Sequence, residues 1–157
     1  MKQHKWLFYV LWVLFAEAVG FLSGWLTREG VQLYTKTIQQ PPLSPPALVF
    51  PIVWGILFAL MGVGAARIYL ATFSRERTIS LRIFLLQLAF NFFWSILFFN
   101  FQAFGFALIW LVVLWALILW MIFSFRKVDP LAAWLQVPYL LWVSFAAYLN
   151  FGVWRLD

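Results

Sequence analysis

Three apolar segments of the sequence place aromatic rings on single helix faces, and two of these faces also carry carboxamides. These residues carry most of the chemistry that the chain offers. Residues that recur at i, i+4 or i+7 lie on one face of a helix. Amide side chains are costly in lipid, so such faces should point inward. Inward rings with sparse amides predict either a cavity for a flat, mostly apolar ligand or contacts that hold helices together. The residues are Trp54 and Phe58 in the first segment, Gln87, Asn91 and Trp94 in the second, and Trp142, Ala146 and Asn150 in the third.

The one acidic residue within an apolar segment is Glu17. A carboxyl group inside the membrane is either a proton- or cation-coupling group, or a structural acid that is protonated or bonded to a neighbouring helix. The chain has no cysteine, and its single histidine, His4, lies in the N-terminal tail, so no metal site is expected. The sequence shows no acid–base dyad or nucleophile pair, and no cofactor is required. Any turnover would therefore depend on the chemistry of the ligand itself.

The composition places these residues in a membrane. Of the 157 residues, 66% are hydrophobic and 10% are charged, whereas about a quarter of the residues of a soluble domain are charged. Backbone groups in lipid must be hydrogen-bonded within the spanning segment, which favours helices. We therefore predict an all-α integral membrane protein, a five-transmembrane-helix bundle that forms a single domain over residues 1–157. The predicted helices lie at about 6–26, 47–70, 79–99, 103–125 and 131–154.

The charged residues set the expected orientation. The net charge is +6, but the basic residues stand singly between apolar segments, so no nucleic acid is expected as a partner. Lysine and arginine concentrate in the N-terminal tail and in the loops after the second and fourth spans. The positive-inside rule therefore predicts a multi-pass protein of the cell membrane with a cytoplasmic N-terminus and an outer C-terminus. The first span also contains a signal-peptide-like site at residues 16–18, but apolar residues continue beyond it and favour a retained helix.

The stretch QQPPLSPPALVFPIVW, residues 39–54, contains five prolines just before and within an apolar segment. Proline fixes its own φ and moves the preceding residue out of the helical region. The connection at residues 27–46 should therefore end in a stiff, extended strip. The next helix should begin between Pro45 and Pro51, with Ser44 or a nearby residue as its cap. The strip is either an elbow at the membrane surface or a preorganised cover over a cavity between helix ends.

Three segments of the chain have a distinctive order and spacing. They are PPLSPPALVFPIVWGILFALMG at residues 41–62, QLAFNFFWSILFF at 87–99 and PYLLWVSFAAYLNFGVWR at 138–155. Together they resemble the tryptophan-rich sensory protein (TspO) and translocator protein family. The resemblance implies a five-helix bundle, usually a homodimer, with a pocket beneath the connection between the first two helices. It also implies porphyrin ligands such as protoporphyrin IX, or other planar apolar ligands, and in some members light-dependent porphyrin degradation.

The resemblance also assigns site residues. Trp54 and Trp142 match pocket tryptophans that are implicated in the photochemistry, and they are the expected catalytic residues of any such reaction. Leu43 departs from the pattern, because many members have a tryptophan there, so the cover contact should be weaker. The expected ligand-binding residues are Tyr34, Trp54, Phe58, Asn91, Trp94, Trp142 and Ala146 from the matching segments, with Asn150 from the same helix face.

The function that these observations predict is binding or sensing of a membrane tetrapyrrole, with at most weak photo-oxidative degradation of it. The alternative is a small proton-coupled exporter of aromatic cations, in which Glu17 exchanges a proton for the cation. A third class, a purely structural assembly partner, would have no saturable ligand.

Overall fold

The structure is a computed structural model that describes residues 4–156, and the described residues are almost entirely helical. A π-helical segment, Ile96–Asn100, continues the helix Arg75–Ser95 without a break in the span. Within residues 4–156, five apolar stretches are long enough to cross a membrane: Lys5–Leu26, Val49–Tyr69, Arg75–Asn100, Phe104–Val128 and Pro130–Leu156. The predicted fold class, an all-α bundle of five transmembrane helices, is confirmed. The helices are α1 (Lys5–Leu26), α2 (Arg28–Thr37), α3 (Val49–Tyr69), α4 (Arg75–Ser95), α5 (Phe104–Val128), α6 (Pro130–Trp134) and α7 (Val137–Leu156).

The connection between the first two spans contains a helix, α2, that the sequence analysis did not predict. Glu29 in its first turn and Lys36 in its last turn complement the helix dipole. Tyr34 anchors the helix, since its side chain is buried while most of its neighbours are exposed. Hydropathy does not detect such a helix, because its polar residues outweigh one buried ring.

The start of α4 lies four residues before the predicted start of the third span. Ser74 is the N-cap, and its Oγ accepts a hydrogen bond from the backbone N–H of Arg77 at 3.1 Å. The Arg77 guanidinium is buried, stacks on Phe73 at 4.3 Å and donates to the Tyr69 carbonyl oxygen at 2.8 Å. The N-cap bond and the local contacts of Arg77 therefore stabilise this first turn, although its composition is polar.

The fifth span is broken into α6 and α7, where the sequence analysis predicted one helix. Asp129 caps α6 by accepting from the Leu131 N–H at 3.2 Å, and Pro130 occupies the first turn. The break falls at residues 135–136 because Pro138 has no N–H to donate to the preceding turn. Gln136 is fully buried there, and its Nε2 donates to the Leu60 carbonyl oxygen of α3 at 3.1 Å.

Small residues set the closest helix packing. A β-carbon placed on Gly62 of α3 would lie 2.7 Å from the Val13 nitrogen and 2.9 Å from the Trp12 carbonyl oxygen of α1. The two backbones therefore meet where α3 has no side chain, as in other small-residue contacts between membrane helices. On the other side of the bundle, α5 packs between α4 and α7.

The two ends of the bundle have different structures. One end, called here the Lys5 end, carries the start of α1, the end of α3 and α6, and an ion pair joins Arg67 to Asp129 at 2.5 Å. The other end, called here the proline end, carries α2, residues 41–48 and the end of α7. Which side of a membrane each end faces stays a prediction.

Candidate ligand-binding site

Indole and phenol rings of two spans meet between α3 and α7. The Trp54 ring centroid lies 6.4 Å from that of Trp142 and 6.2 Å from that of Tyr139. The two indole planes are nearly perpendicular, at 89°. Phe58, one turn along α3, lies 5.6 Å from Trp54. Perpendicular aromatic rings form a corner in which a flat ligand can stack on one ring and meet the edge of the other.

An open cleft of about 400 Å³ lies beside this corner, between α3 and α7. Its volume falls in the range of small-molecule sites, roughly 300–1,000 Å³. The lining is almost wholly apolar, and its outer rim carries side chains such as Ile56 and Leu141 that are more than half exposed. The lining residues are Val53, Ile56, Leu57, Pro138, Leu141, Trp142 and Phe145.

The indole N–H of Trp142 is a donor with no recorded acceptor. Within residues 4–156, its Nε1 atom is buried and has no hydrogen-bond partner. Most buried polar atoms in proteins are paired, so an unpaired donor beside a cleft needs an explanation. A ligand bound in the cleft would bring an acceptor for this N–H group.

A fully buried tyrosine joins the aromatic corner to α4. The Tyr139 hydroxyl donates to Gln87 Oε1 at 2.6 Å and accepts from Asn91 Nδ2 at 2.7 Å. Asn91 therefore uses its amide to hold α4 against α7. The sequence analysis did not select Tyr139, although it lies three residues before Trp142, so helical spacing could have found it.

The remaining polar site residues form a second group beneath α2. Trp94 Nε1 donates to Asn150 Oδ1 at 3.1 Å, and Asn150 Nδ2 donates to the Phe104 carbonyl oxygen at 2.8 Å. Tyr34 lies over the same group, with its ring 5.3 Å from that of Phe98. Burial raises the pKa of Tyr34 to about 12, so its phenol stays protonated at neutral pH.

The predicted residues are thus divided between two neighbouring groups. Trp142 lines the cleft between α3 and α7, and Trp54 and Phe58 lie in the aromatic corner beside it. Tyr34, Trp94 and Asn150 lie beneath α2. Asn91 connects the groups through Tyr139, and Ala146 is buried one turn beyond Trp142. The amides of Asn91 and Asn150 join helices to one another, and a ligand-binding role for either stays a prediction.

Residues 41–48, called here the proline segment, are held against the end of α7. The Tyr148 hydroxyl donates to the Pro42 carbonyl oxygen at 2.8 Å, and the Pro41 ring fills the space above Gly152. The expected cap was Ser44 or a nearby residue; Leu48 occupies the N-cap position of α3 without a side-chain hydrogen bond, and Ser44 Oγ instead donates to the Pro41 carbonyl oxygen at 2.7 Å. Backbone turns from residues 46–47 lead directly into the helix at Val49.

Replacement of Tyr148 by phenylalanine should release the proline segment from α7. We expect amide hydrogen exchange at Leu43, Ser44, Ala47 and Leu48, the non-proline residues of 43–48, to quicken roughly fivefold, the size expected for one lost hydrogen bond. Exchange would be measured by mass spectrometry on protein in lipid nanodiscs. The control is Tyr69→Phe at the opposite end of the bundle, and equal exchange in the two variants would contradict the prediction.

Glu17 lies on α1, away from the cleft lining. Its side chain is partly exposed on a helix that packs mainly against α3. It is absent from the residues that line the cleft between α3 and α7. The proton-coupled exporter that uses Glu17 therefore stays a prediction without support from this geometry.

Together these features define a polytopic membrane protein with an aromatic, apolar cleft between two spans and a stiff segment at one end. The profile of the TspO/MBR family matches residues 12–155, and the chain belongs to this family. It is 38% identical to the tryptophan-rich protein TspO of Chlorobaculum tepidum over 141 residues, which cover 89% of each chain.

Relatives from other domains of life are similar over comparable lengths. The translocator protein of Bos taurus is 35% identical over 153 residues, 96% of this chain and 90% of its own length. The tryptophan-rich protein TspO of Archaeoglobus fulgidus is 31% identical over 148 residues, 92% of this chain and 94% of its own length. The resemblance noted from the sequence is thereby confirmed.

Proposed function

We propose that this protein binds a planar, mostly apolar tetrapyrrole of the protoporphyrin IX type within the membrane. The observation that carries the proposal is the corner of Trp54 and Trp142 beside the cleft between α3 and α7. A macrocycle has a large apolar face that stacks well on indole, and polar edge atoms that accept hydrogen bonds. The unpaired Trp142 N–H would then bond to the ligand.

The proline segment supports the same proposal. Its stiffness and its hydrogen bond from Tyr148 fix its shape before any ligand arrives. A preordered segment loses less conformational entropy on binding than a flexible loop does. Leu43 at its tip is 80% exposed and contributes little contact area, in keeping with the weaker cover expected from the missing tryptophan.

Any degradation of the ligand would be driven by light that the porphyrin absorbs. The excited porphyrin would transfer its energy to dioxygen, and the singlet oxygen so formed would add to a double bond of the macrocycle or react with the adjacent indoles of Trp54 and Trp142. The homodimer and the cytoplasmic N-terminus stay predictions alongside this activity. Loss of protoporphyrin absorbance under light and oxygen, compared with protein in the dark, measures the reaction directly.

Protoporphyrin IX binding to Trp142→Phe tests the proposal. We expect about tenfold weaker binding, because the variant loses one donor and part of the stacking surface. The shift of the porphyrin absorption band during titration gives the affinity without depending on tryptophan emission. The matched control is Trp120→Phe, since Trp120 is 54% exposed on α5 and lies outside the cleft. If both variants bind as the unaltered protein does, the cleft is not the porphyrin site.

A further inference from the structure

A large polar recess opens at the Lys5 end, on the opposite end of the bundle from the proline segment. Its volume is about 870 Å³, roughly twice that of the aromatic cleft. The start of α1, the end of α3, the α3–α4 loop, the start of α4 and the end of α5 line it. It shares no lining residue with the aromatic cleft, so it is a separate site.

The charged side chains that line the recess leave two lysines available to an anion. Arg67 is bound to Asp129, and its Nη1 also lies 3.4 Å from the Tyr9 hydroxyl oxygen. Among residues 4–156, Lys5 and Lys127 make no ion pair within 4 Å, although both line the recess. Glu76 is the one lining acid outside the Arg67 pair in this part of the chain.

The depth of the recess indicates what kind of anion reaches it. Lys5 begins α1, and Lys127 lies one residue before the end of α5, so both lie at the boundary of the apolar spans. Phe73 on the wall is 83% exposed, and Trp6 beside Lys5 is 61% exposed, as interfacial aromatic residues are. Lipid phosphates lie at this depth, and basic recesses between helix ends are suited to anionic headgroups.

We propose that this recess binds the phosphate group of an anionic phospholipid, with Lys5 and Lys127 as its cationic partners. The Tyr9 hydroxyl and the Thr72 and Ser74 side chains supply further donors on the same lining. The acyl chains extend along the exposed apolar surface of α1. A soluble phosphate compound has the same anionic group but gains nothing from the apolar surface, so the lipid is the favoured source.

Native mass spectrometry of the full chain in detergent, titrated with phosphatidylglycerol, tests this site. Lys127→Gln and Lys5→Gln should each weaken binding roughly fivefold, the effect of one cation beside an anionic headgroup. Glu76→Gln should strengthen binding, because it removes the opposing charge. Arg126→Gln is the matched control, since Arg126 is exposed on the same helix next to Lys127 but does not line the recess. It should change binding less than twofold.

Three outcomes would overturn the proposal. The first is an equal effect of Arg126→Gln and Lys127→Gln, which is the result expected of general surface attraction alone. Phosphatidylcholine, which is zwitterionic, could bind as tightly as phosphatidylglycerol. Inorganic phosphate could displace the lipid at equal concentration, which would assign the recess to soluble phosphate compounds. Because Glu76→Gln is expected to gain affinity, a misfolded lysine variant cannot by itself produce the full predicted pattern.

Discussion

Replacing Gly62 with alanine is expected to lower the free energy of unfolding by about 3 kcal/mol, the upper part of the range for overpacked sites. The new β-carbon would press on the backbone of α1 at Val13 and Trp12. A helix backbone cannot rotate out of the way as a flexible side chain can. The whole of α1 must therefore move away from α3, and contacts along the entire helix pair are weakened.

Unfolding in mixed micelles with increasing dodecyl sulfate, followed by tryptophan emission, measures this loss. The matched control is Gly55→Ala on the same helix, where no atom lies within 4 Å of the added β-carbon. That control should be neutral, or gain up to about 1 kcal/mol from the higher helix propensity of alanine. Equal stability of the two variants would mean that α1 and α3 do not meet at Gly62.

Replacing Tyr139 with phenylalanine should lower the free energy of unfolding by about 2 kcal/mol. The substitution keeps the ring in the fully buried site and removes only the hydroxyl. Gln87 Oε1 then loses a donor, and Asn91 Nδ2 loses an acceptor. Both amides are buried and have little access to water, so their groups would be left unpaired.

The same unfolding experiment measures this effect, with Tyr69→Phe as control because the Tyr69 ring is 36% exposed. The double variant Tyr139→Phe/Gln87→Met should recover part of the loss, since it removes one of the two unpaired amides. A Tyr139→Phe protein as stable as the unaltered one would show that the hydroxyl does not bridge α4 and α7.

The spans were predictable because hydropathy depends on composition over about 20 residues, and packing does not alter it. The helix α2 could not be predicted, because its ten mostly polar residues resemble a loop unless the burial of Tyr34 is known. The break before α7 could have been predicted from Pro138, which disfavours a continuous helix. The sequence analysis nevertheless predicted one continuous helix over residues 131–154.

In the candidate site, too, the sequence predicted which residues share a helix face but not which residues bond between helices. Helical spacing correctly placed Trp54 beside Phe58, because both lie on one helix. It could not show that Asn91 bonds to Tyr139, because that contact depends on how α4 and α7 are rotated relative to each other. Amides on an inward face therefore predict burial, but their partners are decided by tertiary packing.

The connection between α1 and α3 is fastened to two different helices. Its first half rests on the π-helical segment, Ile96–Asn100, through Tyr34 and Gly30, and its second half rests on α7 through Pro41 and Tyr148. An outward displacement of α7 would carry the second half with it and leave the first in place. Residues 38–40, which lack helical structure, would then act as the hinge. Opening of this end of the bundle would thus require a short pivot rather than unfolding of the connection.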